Sequence, residues 1–489
     1  MLFTDPLFLF LFLPALLAVY FCSPKAARNP LLLCASLLFY ASGEGRFLLL
    51  LLFSVLLNYF FGLAIGRAGS TGRRRLFLCL GVSGNLLLLA VFKYAVFIIT
   101  NFNILLAHLT PRVHLHVALL PVPEIHLPVG ISFFTFMGIS YLADIYWRQI
   151  EADRRLGRVA LYVTLFPHLL AGPIVRYAEI AGELVSRRAS VADFAEGVRR
   201  FVVGLGKKML VANTLALTVD KIYATPAAQL TTDAAWLGAA CYTLQIYFDF
   251  SGYTDMAVGL ARMFGFHFPE NFDYPYIAQS VSEFWRRWHM TLAKWFRDYL
   301  FFPMSFRRSR RRMLFNLLLV FLLCGLWHGA SWNFVVWGAF YGAFLVLEQL
   351  GLGAWVARRP RVFRHAYLLL VVVTASVFVR SPSVSQSLGF MRAMYGFARG
   401  GAAAAHGAFS YMNAELLIVL FVAVLGSMPV VPLARARLEK LAAGFKGAPG
   451  LAFRGFVALA NVAAMGLLLF ASAAMSATGT YAPFIYFRF

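Results

Sequence analysis

Long apolar runs separated by short clusters of Lys and Arg make up most of this chain. The runs lie at residues 7–21, 31–40, 47–65, 76–99, 128–147, 209–223, 234–250, 313–328, 332–350, 366–379, 416–428 and 456–474. Apolar runs of this kind predict helices that cross a lipid bilayer, roughly 11 to 12 in all. The pattern therefore predicts an all-α polytopic membrane protein, with residues 1–489 forming one integral-membrane domain.

The basic clusters between the runs predict the orientation of these helices. Lys and Arg are enriched in the cytoplasmic loops of membrane proteins. Such clusters lie at residues 25–28, 67–75, 148–158, 307–312, 358–364 and 435–454. Their order predicts that both termini lie on the side of the membrane away from the cytoplasm, including the tail at residues 477–489.

Composition excludes a soluble protein and a nucleic-acid partner. Of the 489 residues, 61% are hydrophobic and only 13% are charged, which leaves too little polar surface for a soluble fold of this length. The formal net charge of +23 reflects the clusters beside the apolar runs, so we attribute it to membrane orientation. The five cysteines are scattered through apolar segments, and they predict neither a disulfide framework nor a metal site.

Two segments depart from the simple spanning pattern. Residues 161–177 are short and are interrupted by Pro167, Gly172 and Pro173, so they predict a re-entrant or tightly packed segment enclosed by protein. A second segment places several apolar residues on one helical face, which predicts an amphipathic helix lying in the membrane interface. These residues are Trp285, Trp288, Leu292, Trp295 and Tyr299.

Two histidines in the region 280–331 are candidate catalytic residues. His328 ends the apolar run that begins at Met313, roughly 22 Å along a helix. An ionisable side chain at such depth is a functional hypothesis by default. An uncharged imidazole shielded from water can act as a general base on a hydroxyl that attacks an acyl carbonyl. The alternative for His328 is a packing role, and for His289 an ordinary position on an interfacial helix.

Other polar residues allow both a structural and a functional interpretation. Asp249 and Asp255 lie in apolar surroundings with Ser251 and Tyr253 nearby, and they predict either a structural polar network or a cavity wall. Trp327 and Asn333 are further candidates for such a network or tunnel lining. The loop at residues 101–127 has four histidines, His108, His114, His116 and His126. No Asp, Cys or well-spaced third ligand accompanies them, so we predict no metal site.

Long motifs in this region resemble a known family. They read YFDFSGYTDMAVGLARMFGFHFPENFDYPY, FWRRWHMTLAKWFRDYLFFP and LWHGASW, and they lie in about residues 242–331, the last ending at Trp332. In these motifs the chain resembles the membrane-bound O-acyltransferase superfamily, in its bacterial alginate O-acetyltransferase branch. The likeness extends to MLFTDPLFLFLFLP, LLAGPIVRY and PFIYFRF, and so covers essentially the whole chain.

The resemblance implies a helical fold with re-entrant and interfacial helices around a central tunnel. It implies that His328 is the catalytic histidine and that His289 is a second histidine on the cytoplasmic side of the reaction path. The donor would be acetyl-CoA or another acyl thioester from the cytoplasm, with no permanently bound cofactor. The acceptor would be a hydroxyl of an exported polysaccharide such as alginate or cellulose, and the partner a periplasmic acetyltransferase of a polysaccharide machine.

The C-terminal sequence PFIYFRF resembles the tyrosine motif of a small partner protein in teichoic acid D-alanylation. This likeness implies that Tyr486 relays the acyl group, since a phenolic hydroxyl near a histidine base suits covalent transfer. The alternative is an aromatic anchor at the membrane interface.

Two other functions are weighed against acetyl transfer. One is D-alanyl transfer to a cell-wall polymer. The other is a non-catalytic subunit of a polysaccharide exporter, which predicts inverted repeats and paired charges along a substrate path. No such repeat is visible in the sequence.

Overall fold

A computed structural model describes residues 1–113, 119–397, 407–445, 447–477 and Phe484. This part of the chain is helical and has no β-strand. The first eleven helices are α1 (Leu13–Cys22), α2 (Arg28–Glu44), α3 (Leu48–Arg67), α4 (Thr71–Leu89), α5 (Ala95–Val113), α6 (Ile131–Tyr146), α7 (Leu156–Thr164), α8 (Phe166–Leu169), α9 (Tyr177–Val185), α10 (Val191–Gly206) and α11 (Asn213–Ala224). The others are α12 (Thr232–Met263), α13 (Val281–Arg287), α14 (Met290–Phe296), α15 (Phe302–Ser305), α16 (Arg310–His328), α17 (Trp332–Leu347), α18 (Gly353–Ala357), α19 (Arg361–Arg380), α20 (Val384–Met394), α21 (Ala414–Gly426), α22 (Val430–Gly444) and α23 (Gly447–Ala477).

The predicted class, an all-α polytopic membrane protein, is confirmed. Among the described residues, seven helical segments are long and apolar enough to cross a membrane, or eight if the bent pair α21 and α22 forms one span. Two more apolar helices, Phe8–Cys22 and Ile131–Tyr146, are shorter. The number is below the predicted 11 to 12, because several apolar runs fold into short or broken helices.

The interrupted segment at residues 161–177 is enclosed by protein, as its sequence predicts. Every residue from 161 to 175 is buried, and the chain leaves helical geometry after α8. Backbone carbonyls of this buried segment have hydrogen-bond partners inside the protein. The Tyr162 hydroxyl donates to the Val175 carbonyl at 3.0 Å, and the His168 ring lies 2.8 Å from the Tyr162 carbonyl. These bonds explain how irregular backbone is tolerated here.

The predicted amphipathic helix at the interface is wrong. The segment forms two short helices, α13 and α14, with a break at Trp288 and His289. Three of its tryptophans, Trp285, Trp288 and Trp295, are buried in the core. The Trp295 ring stacks on Phe136 at 3.9 Å. The aromatic face therefore packs against other helices of the protein and does not face the lipid headgroups.

A long buried helical segment holds α12 through ion pairs. Residues Val191–Ala224 are one of the candidate spans, which begins well before the apolar run at residues 209–223. A π-helix, Lys207–Ala212, joins α10 to α11. It places Lys207 beside Asp255 and Lys208 beside Asp249, each with a nitrogen–oxygen distance of 2.7 Å. These pairs lie between neighbouring helices and hold them together.

Helices α16 and α17 form the hairpin that positions His328. Arg310 begins α16 among the arginines of residues 307–312, and we call this end of the molecule the basic side. His328 ends α16 toward the opposite side, where α17 begins after a short turn. A Cβ atom at Gly325 would lie 2.1 Å from the Phe334 carbonyl oxygen. Only glycine allows the two backbones to come this close.

Candidate active site

His328 lies at the C-terminal end of α16 and is buried, with 8% of its surface exposed. Its ring contacts two indoles: the ring centroids of Trp327 and Trp337 both lie 4.9 Å from it, and both contacts are edge-on. The last carbonyls of α16 are bound by a neighbouring helical segment. The Tyr94 hydroxyl donates to the Leu326 carbonyl at 3.1 Å, and the Lys93 ammonium donates to the Trp327 carbonyl. Both contacts hold the end of the helix that carries the imidazole.

His289 lies in the break between α13 and α14 and is fully buried. Its φ of +44° is in the left-handed region, which is uncommon for a residue with a side chain. The surrounding contacts hold this backbone: the Met290 N–H donates to the Asn271 carbonyl at 2.9 Å, and the Ala293 N–H donates to the His289 carbonyl at 3.0 Å. A strained backbone held in place by its neighbours is typical of functional positions.

Asn271 determines which nitrogen of His289 carries the proton. The Asn271 side-chain oxygen accepts hydrogen bonds from the Thr291 N–H at 3.2 Å and the Thr291 hydroxyl at 2.9 Å. Because a backbone N–H can only donate, this atom is an acceptor. The Nδ1 atom of His289 lies 3.1 Å from the same oxygen, so Nδ1 must donate to it. In the uncharged ring, the lone pair is then on Nε2.

The two predicted catalytic histidines come together in the structure. Their ring centroids are 6.5 Å apart, and the Trp327 ring lies 6.3 Å from His289. Phe250 contacts the His289 ring edge-on at 4.7 Å. The two imidazoles thus lie in one buried aromatic region. His289 enters it from the break between α13 and α14, and His328 enters it from the end of α16.

Comparison with known proteins agrees with this arrangement. The profile of the "MBOAT, membrane-bound O-acyltransferase family" matches residues 155–381, which include both histidines. The chain is 38% identical over 509 aligned positions to a probable alginate O-acetylase of Azotobacter vinelandii, with 100% of both chains covered. The chain belongs to the membrane-bound O-acyltransferase family.

Two further relatives of this acyltransferase are close in sequence. A probable alginate O-acetylase of Pseudomonas aeruginosa is 42% identical over 405 residues, covering 81% of this chain and 75% of the relative. A peptidoglycan O-acetyltransferase of Helicobacter pylori is 34% identical over 432 residues, covering 81% and 80%. These matches identify the chain as an O-acyltransferase.

Three cavities lie at or next to His328 in this acyltransferase. The first, which we call the aromatic cavity, has a volume of about 50 Å³ and is lined by His328, Trp285, Trp288 and Trp337 among others. The second, the polar cavity, has about 70 Å³ and is lined by His328, Lys93, Ser132 and Trp327 among others. His328 therefore lies between two small spaces, one aromatic and one with polar groups.

The third cavity, the vestibule, has a volume of about 1040 Å³ on the side opposite the basic side. Its lining includes Trp332, which begins α17, Ser381, which follows α19, and Asn101, which lies within α5. It shares Lys93 with the polar cavity and Phe334 with the aromatic cavity. The two small cavities at His328 thus adjoin the much larger vestibule, on the side opposite the basic side.

The two aspartates of α12 are paired with cations. Asp249 is buried with Lys208. Asp255 contacts Lys207 and also Arg200, whose Nη2 lies 3.0 Å from its Oδ1. These contacts join α12 to α10 and the π-helix beside it. Ser251 lies between the two aspartates in the sequence. It is buried, and its hydroxyl has no hydrogen-bond partner among the described residues.

The remaining candidates divide between the core and the vestibule. Tyr253 stacks on Phe3, with centroids 4.9 Å apart, and so belongs to the aromatic core. Trp327 lines the polar cavity and stacks on Phe136 at 5.1 Å. Asn333 lines the vestibule, and its amide nitrogen donates to the Ser381 carbonyl.

Tyr486 lies outside the described residues, but Phe484 is described. Phe484 is 1% exposed and stacks on Tyr253 with centroids 4.6 Å apart. It also contacts Phe250, the residue that meets His289 edge-on. One residue of the predicted outer tail is therefore buried in the protein, one ring away from the second histidine.

The histidine-rich loop is only partly described. His114 and His116 lie outside the described residues, while the His126 ring stacks on Phe47 at 5.4 Å and lies 3.4 Å from the Glu44 carboxylate. No group of three or more His, Cys, Asp or Glu side chains in the described ranges is arranged to hold a metal ion. Tertiary contacts explain the position of His126 without a metal.

Two residues beside the histidines were not recognised as part of the site from sequence. Asn271 lies within the motif FPENFDYPY, 18 residues before His289, and no local pattern connects the two. Lys93 was visible as a cation within an apolar run, a signal of function in membranes. Its partner, the end of α16, is 235 residues away in the chain, so only the fold reveals the contact.

Proposed function

We propose that this acyltransferase moves an acetyl group from a cytoplasmic thioester, acetyl-CoA or another acyl thioester, to an exported polysaccharide such as alginate or cellulose. The relatives named alginate O-acetylase and peptidoglycan O-acetyltransferase support an acetyl group and a polymer acceptor. The observation that carries the proposal is His328, a buried imidazole that lines two small cavities next to a large one.

In the transfer from the thioester, His328 takes the proton of the attacking hydroxyl as the hydroxyl oxygen attacks the acyl carbon. A carbon–oxygen bond forms, the carbon–sulfur bond of the thioester breaks, and the proton passes from His328 to the departing thiolate. No net proton is gained or lost. His289, with Nδ1 committed to Asn271, offers its Nε2 lone pair to the reacting groups from the basic side.

The size of the cavities favours a short acyl group. The two spaces at His328 have volumes of about 50 and 70 Å³, enough for several waters or a two-carbon acyl group. A long acyl chain would require the surrounding aromatic side chains to move apart. Close packing makes such a rearrangement costly.

The charge of the polar cavity argues against D-alanyl transfer. A D-alanyl group carries an ammonium, and the charged residue that lines this cavity with His328 is Lys93. No carboxylate is among the cavity's described lining residues. Two cations confined in a small, poorly solvated space repel each other, so an uncharged acetyl group fits better.

We also propose that Tyr486 relays the acyl group, together with a periplasmic acetyltransferase partner of a polysaccharide machine. The phenolic oxygen would take the acyl group from the thioester as an ester, and the acceptor hydroxyl would then displace the phenol. Burial of Phe484 beside Phe250 and Tyr253 supports a tail that reaches the active region. We expect no permanently bound cofactor and no nucleic acid, with the lipid bilayer as the surroundings.

The relay is tested by Tyr486→Phe, which keeps the ring and removes the nucleophilic oxygen. The expected result is loss of polymer acetylation with an unchanged amount of enzyme in the membrane. Acetylation at the wild-type rate would show that the tail acts only by packing.

The main proposal is tested by measuring acetyl groups per sugar in polymer from cells that carry His328→Gln. We expect a loss of about 100-fold or more, in the range for a missing general base. The matched control is His168→Gln, because His168 is also buried but bonds only to the Tyr162 carbonyl, and it should retain most activity. An export subunit without catalysis would leave acetylation per sugar unchanged in both variants.

A further inference from the structure

The polar cavity beside His328 has features that the proposed general-base role does not explain. Its lining includes a cation, Lys93, the indole of Trp327 and the first residues of α6. These residues bring an ammonium, an indole N–H and the positive end of a helix dipole to the lining of one space of about 70 Å³. Such a set of donors suits a negatively charged oxygen.

Two of the three hydrogen bonds that the Lys93 ammonium makes to protein are long and weak. Its ammonium carries three N–H donors. One donates to the Trp327 carbonyl, while the Ser132 hydroxyl at 3.4 Å and the His328 carbonyl at 3.5 Å are at or near the limit for a bond. The ammonium can therefore give a donor to a ligand while it still binds the end of α16.

Trp327 provides a second and independent indication. It is 4% exposed, and its indole N–H has no acceptor among the described residues. A buried donor without an acceptor costs about 1–3 kcal/mol, so such a group needs an explanation. A ligand oxygen in the cavity that this residue lines would supply the acceptor.

The N-terminal end of α6 adds a dipole of the same sign. Gly130, which precedes the helix, has a φ of +83°, and a Cβ atom there would lie 2.5 Å from the Leu169 carbonyl oxygen. Glycine thus allows the helix to begin against the interrupted segment. The cavity is lined by Ile131, Ser132 and Phe133, the first turn of α6, where the helix dipole favours negative charge.

We propose that the polar cavity is the oxyanion site of the acyl-transfer reaction, with Lys93 and Trp327 as catalytic residues that bind the acyl carbonyl oxygen. This inference rests on the proposed acyl transfer at His328. When the hydroxyl attacks, its proton goes to His328 and the carbonyl electron pair moves onto oxygen. The Lys93 ammonium and the Trp327 N–H hold that charge until the carbon–sulfur bond breaks and the pair returns to re-form the carbonyl.

The test compares Lys93→Met and Trp327→Phe in membrane vesicles, where initial acetyl transfer from acetyl-CoA to endogenous polymer is followed at varied acetyl-CoA. Trp327→Phe removes the N–H and keeps an aromatic ring. We expect kcat to fall at least about 10-fold in each variant, up to the 10²–10³-fold typical of a lost oxyanion donor, with KM changed by less than about 3-fold. Binding the oxyanion affects the transition state more than the ground state, which is why kcat carries the loss.

The matched control is Tyr94→Phe, which removes the other side-chain bond to the end of α16 but does not touch the cavity. If Lys93 and Tyr94 only hold that helix end, Lys93→Met and Tyr94→Phe will lower melting temperature alike and leave kcat within about twofold. That result, or a normal kcat in Trp327→Phe, overturns the oxyanion site. Lys93→Arg keeps the charge and should recover part of the lost kcat.

The failure of this inference is distinguishable from the failure of the proposed function. If His328→Gln abolishes transfer while Lys93→Met and Trp327→Phe keep a normal kcat, the general base stands and the oxyanion site is wrong. If His328→Gln itself transfers acetyl normally, the proposed function is wrong.

Discussion

At the level of single side chains, the two histidines are held in different ways. His328 ends a helix whose last carbonyls bind Lys93 and Tyr94. His289 has left-handed backbone geometry and donates from Nδ1 to Asn271. The first histidine is positioned by its helix and the second by one amide. Substitution of that amide should therefore disturb His289 and also the start of α14, where Thr291 donates to the same oxygen.

Replacing Asn271 with Leu should impair catalysis through His289. The change leaves the Nδ1–H of His289 and both donors of Thr291 without their acceptor. Each buried donor left unpaired costs about 1–3 kcal/mol, and we expect kcat to fall about 10- to 100-fold, as for other groups that orient an active-site histidine. The measurement is the initial rate of acetyl transfer in membranes.

Asn271→Asp keeps the accepting oxygen and should retain more activity than Asn271→Leu. The control is Asn316→Leu, because Asn316 is also buried but bonds to Met304 and Ser305 at the basic end of α16. Equal activity in Asn271→Leu and the wild type would show that the orientation of His289 does not matter for the reaction.

At the level of helices, the close contact of α16 with α17 places His328 in the interior. Gly325 lies one turn before His328, and its missing side chain lets the backbone of α17 approach. The two helices lie in a membrane, where small residues at an interface allow the backbones to pack tightly. The position of the His328 imidazole thus depends on the absence of a side chain at Gly325.

Gly325→Ala should separate the two helices and disturb His328. The new methyl group would lie 2.1 Å from the Phe334 carbonyl and 3.1 Å from the Gly338 Cα, a clash that we expect to cost about 1–3 kcal/mol. Thermal unfolding of the purified protein in detergent should shift to lower temperature, and acetyl transfer should fall. Gly182→Ala is the control, since nothing lies within 4 Å of its Cβ position. An unchanged melting temperature in Gly325→Ala would refute the packing argument.

The buried ion pair of Lys208 and Asp249 should stabilise the contact between α12 and the neighbouring π-helix. Removing one partner strands a charge in the interior, which costs about 3–5 kcal/mol. We therefore expect Asp249→Leu and Lys208→Met each to lower the melting temperature strongly. The double variant should recover much of the loss, because it removes both charges together. Additive losses in the double variant would mean that the two side chains act independently.

At the level of the whole molecule, basic residues collect at one end and the vestibule opens at the other. Arg310 donates to the Gln349 carbonyl at the basic side, and the vestibule is lined by the first half of α5 and the end of α19. The positive-inside rule predicts that the basic side faces the cytoplasm. The vestibule would then face the compartment into which the polymer is exported.

Cysteine labelling in intact cells tests this orientation. In a variant without the five native cysteines, Ser385→Cys on α20 should react with a membrane-impermeant maleimide, while Ser309→Cys before α16 should react only after the membrane is opened. Both serines are exposed, so accessibility alone does not separate them. The reverse pattern of labelling would place the basic side outside and contradict the orientation.

The fold class, the family and the broken segment could all be predicted from features that are local in the sequence. Apolar runs and basic clusters predict an all-α membrane protein because insertion into lipid depends on the sum of neighbouring residues. The motifs around residues 242–331 identified the family and its two histidines. The broken segment at residues 161–177 was recognised because two prolines and a glycine lie close together in a short apolar run, where each weakens helical hydrogen bonding.

Only the tertiary structure decided which side chains meet. Asn271 orients His289, Lys208 pairs with Asp249, and Lys93 reaches the end of α16 across 235 residues of sequence. The same holds for the aromatic segment after Ser280, which the sequence predicted at the interface and which is buried instead. Periodicity tells which face of a helix is apolar, but lipid and protein are both apolar surroundings. The choice between them depends on how all the helices pack together, and that packing also forms the cavities beside His328.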